Sequence, residues 1–170
     1  GSMRAPYSIL VVGAGSVGLL AALRLLRARN AGQVDVTVVD AGAEPERVIA
    51  GETGLRVSAI SAGSGELLDT AGAWQRLHRS QVSAFDRMRV WDGARDPHGG
   101  ATLRFDADEF ALPHLGHIVD DAALREALRD AIEEAGVRVR FDTAVAEARF
   151  DDAGAHVRFT TGDERVADLV

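Results

Sequence analysis

The sequence contains no cysteine, which excludes disulfides, thiolate catalysis and cysteine-ligated iron–sulfur clusters. It also contains no lysine: all 19 basic residues are arginine. A Schiff-base lysine and a phosphate-gripping P-loop lysine are therefore excluded within this chain. No apolar run approaches the ~20 residues that a membrane-spanning helix needs. The helix former run after Gly18 is broken by Arg24, Arg27 and Arg29. The net charge is −7 and no basic run offsets it, so the clustered cations that nucleic-acid binding requires are missing. No signal peptide is evident, and the expected location is the cytoplasm. Gly1-Ser2-Met3 reads as an expression scar and is set aside.

What is present is enough for one domain with a core: 170 residues, 46% of them hydrophobic. The most informative stretch is the beginning. Ile9-Leu10-Val11-Val12 reads as a buried parallel strand. Gly13, Gly15 and Gly18 follow at once in G-x-G-x-x-G spacing. A helix over residues 16–29 comes next, apolar around most of its circumference and therefore expected to be buried. Gly32 reads as part of its stop. A second strand, residues 34–39, ends on Asp40.

Each part of this βαβ unit has a physical role. Gly13 permits a tight exit from the strand, Gly15 admits a pyrophosphate to the backbone, and Gly18 allows the helix to pack close to the strand. The first N–H groups of the helix, at Ser16 and Val17, have no intrahelical acceptor and face the phosphates. Asp40, roughly 20 residues beyond the glycines, is placed to accept hydrogen bonds from a ribose. Strand, glycine turn, helix and terminal acid together point to dinucleotide binding.

After Asp40 the pattern departs from an ordinary nicotinamide-binding domain, which would add another helix and strand within about 30 residues. Residues 41–46 read as a loop. Residues 56–61 begin a segment that becomes helical through Leu68 towards Trp74, and residues 72–77 read as a helix–helix junction. Met88-Arg89-Val90-Trp91-Asp92 and Thr102-Leu103-Arg104-Phe105-Asp106 alternate with period two and form a hairpin, with Trp91 and Phe105 as core candidates. Asp120 or Asp121 caps a helix whose face carries Leu124, Ala127, Leu128, Ala131, Ile132 and Ala135, ended by Gly136. Val137-Arg138-Val139-Arg140-Phe141 is expected to be the third strand of the parallel sheet. Strands over 144–150 and 155–161, then a turn at 162–164 and a strand over 166–170, complete the reading.

Other clusters carry less. His114 and His117 are three apart, but Pro113 and Gly116 oppose a helix that would aim both at one metal. Asp106, Asp108 and Glu109 read as a solvated strand end. Arg76, Arg79, Arg87 and Arg89 read as a surface or an interface.

The glycine turn, the runs Arg56-Val57-Ser58-Ala59-Ile60-Ser61 and Met88-Arg89-Val90-Trp91-Asp92, and Leu115-Gly116-His117-Ile118-Val119 together resemble the FAD-dependent aromatic hydroxylases of ubiquinone biosynthesis. These are single-component flavin monooxygenases of the p-hydroxybenzoate hydroxylase group. The resemblance implies an α/β, Rossmann-like FAD-binding βαβ domain of glutathione-reductase type, with a helical and β-hairpin insertion over residues 41–117 between strands two and three. It covers essentially residues 6–170 and matches roughly the first two-fifths of such an enzyme, so that 4–170 would be a partial FAD-binding domain.

By match to the family motifs, Gly13, Gly15, Ser16, Val17 and Gly18 would line the pyrophosphate. Asp40, with Ala41 beside it, would hold the adenosine ribose. Arg56 would reach the phosphate–ribitol side, Asp121 would contact FAD from the start of the long helix, and Val145 would lie near the adenine. An acid at Asp121 would repel a pyrophosphate, and a helix N-cap is an equal reading of it. The implied reaction is hydroxylation of a lipophilic aromatic ring with NAD(P)H and O2. Membrane association, peripheral to the inner membrane, or a biosynthetic complex would come through segments outside these residues. An NAD-dependent dehydrogenase domain and a non-catalytic fragment or assembly partner are the alternatives. No residue is assigned to catalysis and none to a metal.

Overall fold

The computed structural model describes residues 6–28, 31–48, 57–61, 63, 65, 68, 72–77, 81–90, 98–100, 103–110 and 114–170. Strand β1 (Tyr7–Val12) and strand β2 (Val34–Val39) pair in parallel, Tyr7 against Val34 through Val12 against Val39. Helix α1 (Ser16–Leu26) connects them. Two single-residue bridges extend this pair on both sides, again in parallel: Val39 with Arg140, and Ile9 with Leu169. The resulting order across the sheet is Arg140, β2, β1, Leu169, an arrangement that places the ends of β1 and β2 at its centre.

The third strand expected over residues 137–141 is present only as the Arg140 bridge, held by Arg140 N–H to Val38 O at 2.9 Å and Asp40 N–H to Arg140 O at 2.8 Å. The alternating Val-Arg-Val-Arg pattern gave the right address and direction. Pairing is confined to one residue at the sheet's edge, because no further strand covers its outer side among the described residues.

β2 shows why a strand buried on both faces is apolar throughout. Val36 and Val38 join Leu19, Ala22 and Leu23 of α1 in the larger core cluster. Val39 faces the other way and joins Leu10, Ala155, Val157, Phe159 and Ala167. The second cluster lies under an antiparallel sheet of β8 (Val145–Asp151), β9 (Gly154–Phe159) and β10 (Glu164–Ala167), in the order β10, β9, β8. Three layers result: helices, parallel sheet, antiparallel sheet. α1 is less enclosed than its composition suggested. Leu19, Ala22 and Leu23 are buried, whereas Val17 is 84% exposed, since the sheet and one neighbouring helix cover two sides only.

That neighbour is α2 (Asp121–Glu134), whose Leu124, Leu128, Ala131 and Ile132 pack into the same core. Of the two aspartates expected to cap it, Asp120 does so: its Oδ1 accepts the Ala123 N–H at 2.8 Å, and the residue is buried. Asp120→Ala is expected to cost about 1–2 kcal/mol by losing this cap, measurable by urea denaturation.

Between β2 and α2 the chain builds further sheets. Strand β3 (Val57–Ser61) and strand β4 (Val82–Phe85) flank the central β7 (Gly116–Asp120), both antiparallel to it. Strand β5 (Arg87–Val90) and strand β6 (Leu103–Asp106) form the expected hairpin. Residues 57–61, read from the sequence as the lead-in to a helix, are thus a strand, and β4 and β7 were not foreseen. Leu68 is helical as expected, Gly63 and Gly65 before it are helical too, and Trp74–Arg76 is a single 3-10 turn rather than a helix–helix junction. Phe105 is half-buried; Trp91 lies outside the described residues. No helix among the described residues is long and apolar enough to cross a membrane.

Candidate functional site

The glycine turn sits at the carboxyl end of β1, where parallel α/β sheets place their ligands. Gly13 has φ +105°, a conformation that favours glycine, and its N–H donates to Val39 O at 2.8 Å. Gly18 is required for a different reason. A Cβ built on it would lie 2.1 Å from Gly13 O, so the turn and the helix touch backbone to backbone. At Gly15 a Cβ would meet nothing within 4 Å. Open space therefore stands directly over the N-cap of α1.

Gly15 caps that helix with no side-chain hydrogen bond, and the first turn carries no acid of its own. The first-turn N–H groups and the positive end of the helix dipole are left facing that space, the arrangement that favours an anion. A cofactor diphosphate fits these residues: a side-chain-free cradle with amide donors behind it.

Asp40 is directed at the turn. Its Oδ2 accepts the Ala14 N–H at 2.7 Å and its Oδ1 accepts the Gly42 N–H at 2.8 Å. Its backbone is tied as well, with Thr143 N–H donating to Asp40 O at 2.8 Å. One carboxylate thus fastens the glycine turn to the end of β2. Ionised, it has about four lone-pair sites, which leaves acceptor capacity for a ribose hydroxyl. Ala41 follows it, exposed.

Asp121 reaches the same place from the opposite direction. It is the first residue of α2, not its cap. Its Oδ1 accepts from Ser16 Oγ at 3.3 Å, and its Oδ2 lies 3.2 Å from Arg125 Nε. The structure therefore brings together Gly13, Gly15, Ser16, Val17, Gly18, Asp40, Ala41 and Asp121. Val145 stands apart, half-buried at the start of β8 opposite Phe159 and packed on the second core cluster. Arg56 lies outside the described residues.

Sequence reasoning missed Arg125, although its i, i+4 spacing from Asp121 was readable. It also missed the stitching of the loop after Asp40 to α2. Arg47 Nη1 donates to Asp130 Oδ1 at 2.8 Å, and the Val48 N–H donates to Glu126 Oε2 at 2.6 Å.

The remaining clusters do not assemble a site. Arg76 pairs with Glu134, Arg87 with Asp106 at 3.3 Å, and Arg89 meets His98 at 2.8 Å; Arg79 lies outside the described residues. No group of three or more potential metal ligands occurs among the described residues. His114 and His117 stack edge-on with ring centroids 4.5 Å apart, and Trp74 packs on His117 at 4.8 Å. The enclosed His117 Nδ1 has no hydrogen-bond partner among the described residues.

Burial, with His114 adding to it, pushes the His117 pKa below its usual 6.5. The neutral ring is then the form that the fold accepts. Its contribution is fully present above pH 6.5 and is lost as pH falls from there through the lower folded value. Melting temperature is expected to decline as pH drops below 6.5, with His117→Phe flattening that part of the curve. Asp151, held low by its hydrogen bond with His156, and Glu134, held low by Arg76, act in the same direction. Their window opens only below the ordinary carboxylate values of 3.8 and 4.5.

A mixed α/β domain with a glycine turn, an uncapped helix mouth and an acid at the end of the second strand defines the class: a nucleotide-binding domain. Residues 6–168 match the family model described as FAD binding domain, and the chain belongs to that family, the FAD-binding domain of the aromatic hydroxylase type. It is 36% identical over 129 residues to 3-demethoxyubiquinol 3-hydroxylase of Escherichia coli (strain K12), covering 75% of this chain and 30% of that protein. To the Homo sapiens ubiquinone biosynthesis monooxygenase COQ6, mitochondrial, it is 34% identical over 136 residues, covering 78% of this chain and 27% of that protein. The chain thus spans less than a third of the length of these curated relatives.

Solved structures share the fold. The Diels-Alderase PyrE3 superposes with a TM-score of 0.68 at 23% identity, over 95% of this chain and 31% of that one. Klebsiella pneumoniae HpxO, complexed with FAD and uric acid, gives 0.63 at 20% identity, over 96% of this chain and 38% of that one.

Proposed function

We propose that this chain is the FAD-binding portion of a flavin-dependent monooxygenase that hydroxylates a polyprenyl-phenol type ring in ubiquinone biosynthesis, with NAD(P)H and O2 as co-substrates. The single observation that carries this reading is the open, uncapped mouth of α1 beneath Gly15, with Asp40 fastened to the Ala14 amide beside it. Similarity to the two named ubiquinone-pathway hydroxylases supports the substrate class.

In this reading Gly13, Gly15, Ser16, Val17 and Gly18 receive the diphosphate, while Asp40 and Ala41 take the adenosine ribose. By match to the family motif, Val145, apart from the turn at the start of β8, would be the adenine neighbour, and Arg56 would serve the ribitol phosphate. The architecture is the glutathione-reductase type, with residues 41–117 as an insertion in the crossover. Strands β3, β4, β5 and β6 belong to that insertion, β7 begins at its end, and these sheets would furnish part of a substrate wall. Bound flavin supplies the redox and oxygen-transfer chemistry. The protein's part is to hold the nucleotide, orient it and keep water out. Peripheral attachment to a membrane or a biosynthetic complex would be carried by other segments.

The test is the visible spectrum of the enzyme, supplemented with FAD and desalted. A retained flavin band near stoichiometry, bleached by NAD(P)H, is the expected result. No flavin band before or after added FAD overturns the reading. Uptake of NADH in place of FAD would instead favour a dehydrogenase domain, which the long interval between β2 and Arg140 opposes.

A further inference from the structure

An acid stands at the mouth that would receive a diphosphate. Asp121 is joined to Ser16 of the first turn, a residue 105 positions away in sequence, and its charge opposes an incoming phosphate. A site built this way needs a counter-charge nearby. Three arginines line the small cavity of about 40 Å³ that reaches Ala14 of the glycine turn: Arg47, Arg125 and Arg129.

Two of the three are already balanced. Arg47 is shared between Glu126 and Asp130, and Arg129 between Glu44 and Glu133. Arg125 has the single carboxylate Asp121 among the described residues, at 3.2 Å. Its Nε is enclosed and makes no aligned hydrogen bond among the described residues, and its side chain is 35% exposed. A guanidinium carries five N–H donors in a rigid fork. The one pairing observed among the described residues uses its Nε side, so the partly exposed remainder of the fork is accessible to a ligand.

Building on the FAD reading above, we infer that Arg125 is the nucleotide site's phosphate counter-charge. It neutralises Asp121, keeps that carboxylate on the Ser16 hydroxyl, and offers its remaining donors to the diphosphate. The acid at position 121 is thereby tolerated, as half of a pair whose net charge is zero and whose more exposed partner is cationic.

The experiment is a titration with FAD, read by flavin fluorescence, of the unmodified chain and of Arg125→Gln, Asp121→Asn and the double variant, with melting temperatures recorded alongside. Arg125→Gln is expected to raise the Kd about tenfold or more, the worth of a charge-assisted contact. Asp121→Asn should change it less than about threefold, and the double variant should recover only the part of the Arg125→Gln loss that the stranded acid causes, the lost phosphate contact remaining. Riboflavin, which lacks the diphosphate, should bind Arg125→Gln and the unmodified chain alike.

An unchanged Kd in Arg125→Gln overturns this inference and leaves the FAD reading standing. So does a double variant as weak as Arg125→Gln, with both melting lower, which marks a structural role only. Failure of the unmodified chain to take up FAD overturns the inference and the reading together.

Discussion

Gly18→Ala is expected to cost about 3 kcal/mol, the upper part of the range for overpacking a tight contact, and to lower the melting temperature by roughly 6–12 °C for a domain of this size. The added methyl carbon would fall 2.1 Å from Gly13 O and 3.5 Å from a Val11 methyl. The nearest atom is backbone, so no side chain can swing aside. Relief requires α1 to move off the end of β1, which also moves the first-turn amides. FAD affinity should fall with stability. Gly15→Ala is the control. Its backbone has φ −76° and ψ 177°, ordinary for alanine, and its Cβ would meet nothing within 4 Å. Its melting temperature should stay within about 1 °C of the parent while FAD affinity drops about tenfold, one charge-assisted hydrogen bond displaced. Calorimetry and flavin titration of the two variants separate packing from ligand approach.

Asp40→Ala is expected to have the next largest effect, about 3 kcal/mol of stability and roughly a hundredfold in FAD Kd, from losing two charge-assisted amide bonds. The Ala14 N–H, on a buried residue, would lose the acceptor 2.7 Å away, and Gly42 N–H would lose the one at 2.8 Å. The turn and the loop after β2 would loosen together, and a ribose hydroxyl would lose its acceptor. Asp40→Asn keeps the shape and one acceptor oxygen but turns an NH2 toward one of the two amides. It should lie between the parent and Asp40→Ala in both measurements. Equal losses of affinity in both variants with unchanged melting would instead assign Asp40 to the ligand alone.

The parts of this molecule readable in its sequence are those whose partners lie close along the chain. The run Ile9 to Val12, the glycines and the run Val34 to Val39 form one local unit, and buried parallel strands need apolar side chains on both faces. The β5–β6 and β8–β9 hairpins followed from alternation flanking turn residues. β7 was missed because Gly-His-Ile-Val-Asp is short and runs straight into α2. Its identity as a strand depends on β3 and β4, which pair with it from 55 to 63 and from 31 to 37 positions away on the register observed.

Val137 to Phe141 failed in the opposite way. The pattern suits a strand, but only Arg140 meets a partner. At the site, Asp40's place at the end of β2 was legible, whereas its two amide bonds depend on a side-chain direction that spacing does not encode. Asp121 was read both as a ligand contact and as a cap. Asp120 took the cap, which freed Asp121 to meet Ser16 across the core.

The most direct measurement of the central claim is an amide NMR titration of the chain with ADP, which carries the adenosine and the two phosphates without the flavin. The account expects the Gly15, Ser16, Val17 and Gly18 amides to shift together and saturably, with Ala14 and Gly42 following through Asp40. Saturable binding that leaves those amides still and moves signals elsewhere would contradict it.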